Sequence, residues 1–248
     1  MPRTILTDQH WSKLKSILVN FDIYLKHNLR LFIEAILYRI RTGCPWRDIP
    51  EVFGKPNSIF KKFNRWCKDS KLLKIFKFLS NDADLEWIFI DASHVRAHQH
   101  SAGIKAQFIS KSIGGNSSKI HLSVDAHGAP IEFIISDGTT HDVKVAPDLI
   151  DCLNLEETEI LCADKGYDSK SLREKIKATK TQANIPKRCN SKSSNKHMDW
   201  YLYKIRHLVE NTFARLKQFR GIATRYDKLK RNYENSVALA CIFIWLSL

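Results

Sequence analysis

The sequence predicts an α/β protein in which a basic, all-helical part precedes a larger body built on a mixed sheet. Two observations predict this division. Up to residue 80, apolar side chains recur every three or four positions, which is the period of a helix. From residue 87 onward, short apolar runs typical of buried strands alternate with helical patterns. The polar segment 81–84 separates the two, so we predict a helical domain over 1–80 and a second domain over 81–248.

Composition and charge limit the partners. The chain has 248 residues with 44% hydrophobic and 10% aromatic side chains, which excludes a disordered chain. Its net charge of +14 is uneven: 16 basic and 9 acidic residues in 1–90, 11 and 13 in 91–186, and 13 and 4 in 187–248. Two basic flanks around a slightly acidic middle favour a polyanion such as nucleic acid.

Location follows from three further features. The six cysteines form no C-x-x-C pair, which indicates reduced thiols in a cytoplasmic protein. The N-terminal residues lack the apolar core of a signal peptide. The longest apolar run, 237–246, is shorter than the ~20 residues that span a bilayer. We therefore expect no membrane association.

In the helical domain, the spacing predicts helices over 7–19 and 29–41, the second ending at Gly43 and Pro45. One short helix is predicted over 47–53, followed by a turn at 54–56.

The next helix, capped by Asn57 or Ser58, has one apolar and one cationic face. The cationic face carries Lys61, Lys62, Arg65 and Lys68. A short helix, a tight turn and then such a helix form the outline of a helix-turn-helix that binds DNA. A solvated cationic face with no ligand is the alternative.

In the body, periodicity predicts five strands and four helices in a mixed sheet. The strands are 87–90, 120–125, 130–136, 159–163 and 182–186, and the helices are 142–153, 171–178, 199–219 and 234–246.

Two of these strands end in aspartates, Asp91 and Asp164. Ligands bind at the carboxyl ends of strands in open α/β sheets, and neighbouring strands would bring the two carboxylates close together. Their repulsion is relieved by a divalent cation or by a proton. An aspartate that only caps a turn or a helix is the alternative for each of them.

A third carboxylate lies on the predicted helix 199–219. At about 100° per residue, Tyr203, Arg206, Glu210 and Lys217 fall within about 60° of arc. A solvated salt bridge explains Arg206 and Glu210 but neither Tyr203 nor Lys217. Glu210 is also the only Glu among residues 187–231, which carry 13 basic and 3 acidic side chains.

Several motifs are specific when taken together: RTGCPWRDIPEVFG (41–54), FNRW (63–66), IDASHVRAHQH (90–100), KSIGGNSSKIHLSVDAHGAP (111–130), CADKGYDS (162–169) and the spacing Y-x2-R-x3-E-x6-K within 203–228. On these motifs the chain resembles the DDE transposases of bacterial insertion sequences, in the family typified by insertion sequence five. The resemblance implies a ribonuclease H-like catalytic domain behind a small all-α helix-turn-helix-like domain.

The resemblance also implies the chemistry. Asp91, Asp164 and Glu210 match the catalytic triad, which binds two Mg²⁺ ions, with Mn²⁺ as a substitute. Arg206 and Lys217 would hold phosphates, and Tyr203 would position a terminal nucleotide. The expected activity is that of a Mg-dependent DNA transposase, a polynucleotidyl transferase and endonuclease: cut-and-paste transposition by phosphodiester hydrolysis and strand transfer.

The partners expected from the resemblance are double-stranded DNA, as element ends and as target, and further copies of the chain in a homodimer or higher oligomer. The expected place of action is the bacterial cytoplasm, at the nucleoid. Ser93 replaces a usual Thr and keeps the hydroxyl. Ile113 replaces a usual Arg, and we expect the loss of this cation to weaken a DNA contact.

Three alternatives stay open. A non-catalytic DNA-binding regulator would use the helical domain alone, and a nuclease without strand transfer would share the same carboxylates. A zinc site at His94 and His98 is disfavoured, because both follow a strand directly and no H-E-x-x-H is present.

Overall fold

The computed structural model describes residues 3–102, 107–112, 114–188, 191 and 194–248. The chain divides into two compact units. The first comprises Met1–Leu79, Arg96–Gln107 and Arg215–Leu248, and the second comprises Ser80–Val95 and Phe108–Ala214. These units differ from the predicted domains in one respect: residues 96–107 and 215–248 group with the helical part. A pattern read along the chain carries no information about such long-range packing.

The first unit is helical. Its helices are α1 (Asp8–Asn20), α2 (Leu29–Thr42), α3 (Pro56–Lys68), α4 (Lys71–Leu79), α9 (Arg220–Ala223) and α10 (Lys230–Leu246). The predicted helices over 7–19 and 29–41 are confirmed within one residue. Thr7 caps α1 by accepting from the His10 N–H, and Gly43 ends α2 with a φ of 73°.

The predicted helix over 47–53 is wrong. Two 3-10 turns, Trp46–Asp48 and Glu51–Phe53, stand in its place, because Pro50 between them has no N–H to continue a helix. Helix α3 also begins earlier than predicted: Pro56 occupies its first turn and Lys55 is the N-cap, without a side-chain cap bond.

Helix α10 forms the centre of the first unit. It packs against α1, α2, α3 and α4, and most of its residues are buried, including the polar Asn235 and Ser236. This all-round burial explains why its pattern is apolar on every side. The helix begins at Lys230, four residues before the predicted start.

The second unit contains most of a mixed sheet, as predicted, but the sheet has seven strands among the described residues instead of five. The strands are β1 (Trp87–Ala97), β2 (Ser110–Ser112), β3 (Gly115–Val124), β4 (Pro130–Asp137), β5 (Ile160–Cys162), β6 (Gln182–Asn184) and β7 (Thr224–Arg225). Along the sheet the order is β2-β3-β1-β5-β6, with β4 also paired to β3 and β7 to the end of β1. The pairs β1/β5 and β5/β6 are parallel, and β3/β4 is antiparallel.

Four helices complete the fold: α5 (Asp142–Asp151), α6 (Lys170–Ala178), α7 (Trp200–Ile205) and α8 (His207–Lys217). One core cluster joins the central strands to α5 and α6, through residues such as Ile88, Leu161, Leu149 and Leu172. Because both faces of β5 are covered, its sequence is apolar throughout.

Two predictions about the body need correction. Strand β1 continues to Ala97 rather than ending at residue 90, so Asp91 lies within a strand. The single helix predicted over 199–219 is two helices, α7 and α8, with Arg206 between them. Among the described residues, no helix is both long and apolar enough to cross a membrane.

Candidate active site

The two predicted aspartates lie side by side in the register of the sheet. Phe89 of β1 pairs with Cys162 of β5 in a parallel ladder, and each aspartate follows two residues later. Equal offsets along neighbouring parallel strands bring Asp91 and Asp164 to the same level. The pairing of β1 with β5, which the sequence argument needed, is therefore present.

The electrostatics of Asp91 reflect this closeness. Burial raises the pKa of its carboxyl, and the charge of Asp164 raises it further. The N–H of Ala92 and the guanidinium of Arg206 act in the opposite direction, and the net pKa is above the usual value. Asp91 is thus a partly buried carboxylate beside another one, and it gains from any additional cation.

Arg206 connects two of the three predicted carboxylates. Its Nη1 donates to Oδ2 of Asp91 at 2.8 Å, and its Nη2 donates to Oε1 of Glu210 at 2.6 Å. The Arg206 side chain is 17% exposed, whereas that of Glu210 is 56% exposed. Burial acts to lower the pKa of Arg206, but the charges of Asp91 and Glu210 raise it overall. Its guanidinium stays charged at every physiological pH.

The break between α7 and α8 occurs at Arg206 itself. The Arg206 N–H bonds to the Tyr203 carbonyl, and the Val209 N–H bonds to the Arg206 carbonyl, both three residues back. This tightened turn replaces regular helix geometry. The Tyr203 ring stays close, with its centroid 5.8 Å from the Arg206 guanidinium carbon. Tyr203 and Glu210 therefore both still lie beside Arg206, although the single predicted helix is divided into two.

Asp164 is held by the turn that follows it. Its Oδ1 accepts from the Gly166 N–H at 2.7 Å, which makes Asp164 the cap of the 3-10 turn Lys165–Tyr167. A Cβ added at Gly166 would lie 2.8 Å from that same oxygen. A larger residue at this position would displace the Asp164 carboxylate, which gives a structural reason for the Gly in the motif CADKGYDS.

Helix α8 is fixed to the turn between β3 and β4. Thr212 Oγ1 donates to the Gly128 carbonyl at 2.6 Å in a buried bond. Thr212 lies two residues after Glu210 on α8, so this bond sets the position of the helix that carries the third carboxylate.

A basic loop beside Asp164 was missed by the sequence analysis. Asp168 accepts from the Arg173 side chain at 2.9 Å and from the Arg188 N–H at 3.0 Å, and Lys187 Nζ lies 3.5 Å from it. Arg188 is exposed, and its Nη2 donates to the Gly166 carbonyl at 3.3 Å. One acidic side chain therefore organises three cations next to the Asp164 turn. The only sequence signal was the local excess of basic residues.

The other predicted residues lie in the first unit. Lys217 is on the last turn of α8, and burial lowers its pKa. Lys61, Arg65 and Lys68 are exposed on α3. Lys62 is half-buried: its Nζ lies 4.2 Å from the centroid of the Phe32 ring, and burial is the main reason that its pKa is lowered. The four do not form one solvated face.

Carboxylate oxygens are the ligands that Mg²⁺ prefers. A cation would also relieve the electrostatic repulsion between Asp91 and Asp164, so these side chains fit such an ion. However, in the part of the chain that the structure describes, no three His, Cys, Asp or Glu side chains are grouped closely enough to hold a metal ion. His94 and His98 therefore belong to no such group among the described residues. Ser93 lies on β1, and Ile113 falls outside the described residues.

Comparison with known proteins identifies the family. A family model described as "Transposase DDE domain" matches residues 83–245, and one described as "Putative transposase of IS4/5 family" matches residues 6–76. The first match covers more than half of the chain, and the chain therefore belongs to the transposase DDE domain family.

Individual relatives are similar to parts of the chain. The "Putative transposase for insertion sequence element IS6501" of Brucella ovis is 36% identical over 130 residues, which are 52% of this chain and 98% of that protein. "Uncharacterized protein y4sN" of Sinorhizobium fredii is 42% identical over 78 residues, which are 32% of this chain and 62% of that protein. The chain thus spans less than two thirds of one relative and nearly all of the other.

A solved structure shows a similar fold. The piggyBac transposase in a synaptic complex with hairpin DNA matches with a TM-score of 0.51 at 11% identity, over 98% of this chain and 73% of that one. Together with the family match, these comparisons confirm the prediction of a DDE transposase of the bacterial insertion-sequence type.

Proposed function

We propose that the protein cleaves the ends of its own DNA element and joins them to target DNA, with Asp91, Asp164 and Glu210 as the metal-binding catalytic residues. The proposal is supported by the parallel register of β1 and β5, which places Asp91 and Asp164 next to each other. Arg206 in turn joins Asp91 to Glu210. Family membership supports the same reaction class.

Divalent ions, Mg²⁺ by preference with Mn²⁺ as a substitute, would activate the attacking hydroxyl and stabilise the leaving oxygen. Asp91, Asp164 and Glu210 supply the ligands. Once these carboxylates are neutralised, the guanidinium of Arg206 is available to a DNA phosphate, for which its planar fork is suited. Tyr203, beside Arg206, has a ring on which the terminal base can stack.

Backbone binding would come from several basic groups. Arg188 and Lys187 stand next to the Asp164 turn, and Lys61, Arg65 and Lys68 form an exposed face on α3. We assign Lys217 to phosphate binding as well. The further parts of the proposal are a ribonuclease H-like domain over 81–248, a helix-turn-helix-like domain over 1–80, a homodimer or higher oligomer on DNA, and action at the bacterial nucleoid.

The test of catalysis uses the full chain and duplex DNA taken from the borders of its own reading frame. We expect Mg²⁺-dependent cleavage and a product joined to a second duplex. Asp91→Asn and Asp164→Asn should each reduce cleavage at least a hundredfold, as removal of one group from a catalytic unit does. Asp151→Asn is the matched control, because that carboxylate is 65% exposed and, within the part of the chain that the structure describes, pairs only with Lys175.

Each alternative has its own outcome. Unchanged cleavage by Asp91→Asn would contradict the assignment of the site. Specific binding of the ends without cleavage in Mg²⁺ or Mn²⁺ would favour the regulator, and cleavage without a joined product would favour the nuclease.

The test of the helical domain removes the exposed cations of α3. Lys61→Ala, Arg65→Ala and Lys68→Ala together should weaken DNA binding and lower the slope of log K against log salt by about 2 to 3. The matched control removes Lys170 at the start of α6, Lys177 near its end and Lys180 after it, which are exposed and carry the same charge. An unchanged slope in the α3 variant would exclude this face from the interface.

A further inference from the structure

A cavity in the first unit is not used by the proposed function. It has a volume of about 480 Å³ and is lined by Trp46, Arg47, Pro56, Asn57 and Phe60. Volumes of this order accommodate small ligands or parts of larger ones. Its lining combines an apolar aromatic wall with one cation and one amide, and it contains no acidic side chain.

The aromatic wall is held rigidly. The Trp46 ring centroid lies 5.1 Å from that of Phe63, which is fully buried, and 5.2 Å from that of Phe60. On the Trp46 ring also lies the guanidinium carbon of Arg39, 4.1 Å from the centroid.

Arg39 is itself fixed. It is buried, and its two terminal nitrogens donate to the Asp227 carboxylate at 3.2 and 3.4 Å. Burying a charge pair costs free energy, because both groups lose their hydration. The fixed guanidinium of Arg39 therefore packs on the ring of the half-exposed Trp46 and supports it.

The loop that carries Trp46 is also anchored. Ile49 and Phe53, in and beside its two 3-10 turns, are buried, and Pro45 and Pro50 restrict the backbone at the start of each turn. Trp46 and Arg47 therefore lie on a rigid segment. A rigid segment loses little conformational freedom when a ligand binds, as expected of a preformed binding site.

The polar groups of the cavity are free to bind a ligand. Arg47 and Asn57 are exposed, and within the described residues neither side chain makes a hydrogen bond or an ion pair. Phe60 keeps 36% of its surface exposed although it is apolar. A cation, an amide and an uncovered aromatic ring are the groups that bind a phosphate, a base edge and a base face, respectively.

The charge around the cavity identifies the ligand class. On α3, Asn57 is followed at helical spacing by Lys61, Arg65 and Lys68, all exposed and with no acid among them. A polyanion lying along this face reaches the cavity at its N-terminal end.

We infer that the cavity binds one unstacked nucleobase of the DNA that lies on the cationic face of α3. The base stacks on Phe60 and Trp46, its edge meets the Asn57 amide, and Arg47 contacts the adjoining phosphate. The inference rests on the proposed DNA-binding function of α3 and adds a site for one base to the phosphate contacts proposed there.

The experiment compares two single-stranded probes that differ only in their bases. One is an oligonucleotide of about 12 residues, and the other has the same length and charge but abasic sugars throughout. Binding to the full chain is measured for both. Because stacking of a base contributes about 1–3 kcal/mol, the wild type should prefer the base-bearing probe by about five- to 150-fold.

Variants separate the cavity from the cationic face. Phe60→Ala and Asn57→Ala, both at exposed positions, should reduce the preference and leave binding of the abasic probe unchanged. Arg47→Ala removes a phosphate contact that the two probes share, so it should weaken both. Val52→Ala is the matched control, since Val52 is an exposed apolar residue of the neighbouring turn outside the cavity. Removing Lys61, Arg65 and Lys68 should weaken both probes equally.

Two results would overturn the inference, and they are distinguishable. Equal binding of both probes by the wild type, with normal salt dependence, would exclude a base site while DNA binding by α3 stands. No binding of either probe at low salt would contradict both proposals.

Discussion

Arg206 and Asp91, 115 positions apart in the chain, are joined by a 2.8 Å charge-assisted hydrogen bond, and the same guanidinium holds Glu210 at 2.6 Å. A single cation thus bridges two of the three carboxylates proposed to hold metal ions, and offsets only one of their two charges. Asp164 lacks this support and is held by the Gly166 N–H. The site is therefore poised between an ion pair within the protein and the binding of an external cation.

Replacement of Arg206 should make the site depend more on added metal. In Arg206→Gln, Asp91 and Glu210 lose the cation that they share, so an added cation relieves more repulsion. We expect a larger rise in Tm on adding Mg²⁺ than in the wild type, together with a loss of DNA cleavage of at least about tenfold. Lys204→Gln, exposed on the same helical segment, is the control and should change neither quantity. An Mg²⁺-induced rise equal to that of the wild type would show that Arg206 does not compete with a cation.

Gly166→Ala should impair the chemistry more than the fold. The new Cβ would stand 2.8 Å from Oδ1 of Asp164, and the carboxylate would have to rotate and lose its bond to the Gly166 N–H. We expect a loss of about 1 kcal/mol in the free energy of unfolding, measured in urea. Cleavage should fall at least about tenfold, because ligands must be held in a narrow geometry. Full activity in this variant would indicate that the position of Asp164 is unimportant, and Lys170→Ala on α6 serves as the neutral reference.

Arg188→Ala should reduce DNA affinity without affecting stability. Arg188 is exposed, and among the described residues its side chain is bonded only to the Gly166 carbonyl, so its loss should change the free energy of unfolding by less than about 0.5 kcal/mol. Loss of one phosphate contact should lower the salt slope of binding by about 1. Lys177→Ala removes the same charge from an exposed site on α6. If both variants give the same slope, the loop is not part of the interface.

His121 should make the protein less stable in mild acid. It is buried against Ser136, and burial lowers its pKa to about 4, with Lys119 and His94 acting in the same direction and Asp142 against it. The unfolded chain, with a histidine pKa of about 6.5, therefore binds the proton first as the pH falls. The free energy of unfolding should decrease between pH 6.5 and pH 4, by an amount on the order of 3 kcal/mol.

Urea unfolding of His121→Gln at several pH values checks this expectation. The variant should lose that part of the pH dependence, whereas His127→Gln should keep it, because the His127 side chain is 75% exposed. Parallel pH profiles for the wild type and His121→Gln would contradict a neutral buried His121.

Local patterns were sufficient for much of the second unit. The apolar runs before Asp91 and Asp164 predicted two strands, and parallel pairing of β1 with β5 places the residues in register. The same patterns failed where a distant contact decides the structure. The tightened turn at Arg206 accompanies bonds to Asp91 and Glu210, only one of which is local. The packing of α10 among the N-terminal helices likewise joins residues more than 150 positions apart.

The sequence by itself determined the class of the protein, the two apolar strand segments that precede its paired aspartates and the basic character of its two flanks, because these depend on residue types and short periods. Only the tertiary structure decided that Arg206 stands between Asp91 and Glu210, that Asp168 holds a basic loop beside Asp164, and that Arg39 supports Trp46 at a cavity. The first and the third depend on contacts between groups far apart in the chain, Asp91 with Arg206 across 115 positions and Arg39 with Asp227 across 188, and the second depends on a loop that returns across 20. Such contacts follow from packing, which no local pattern encodes.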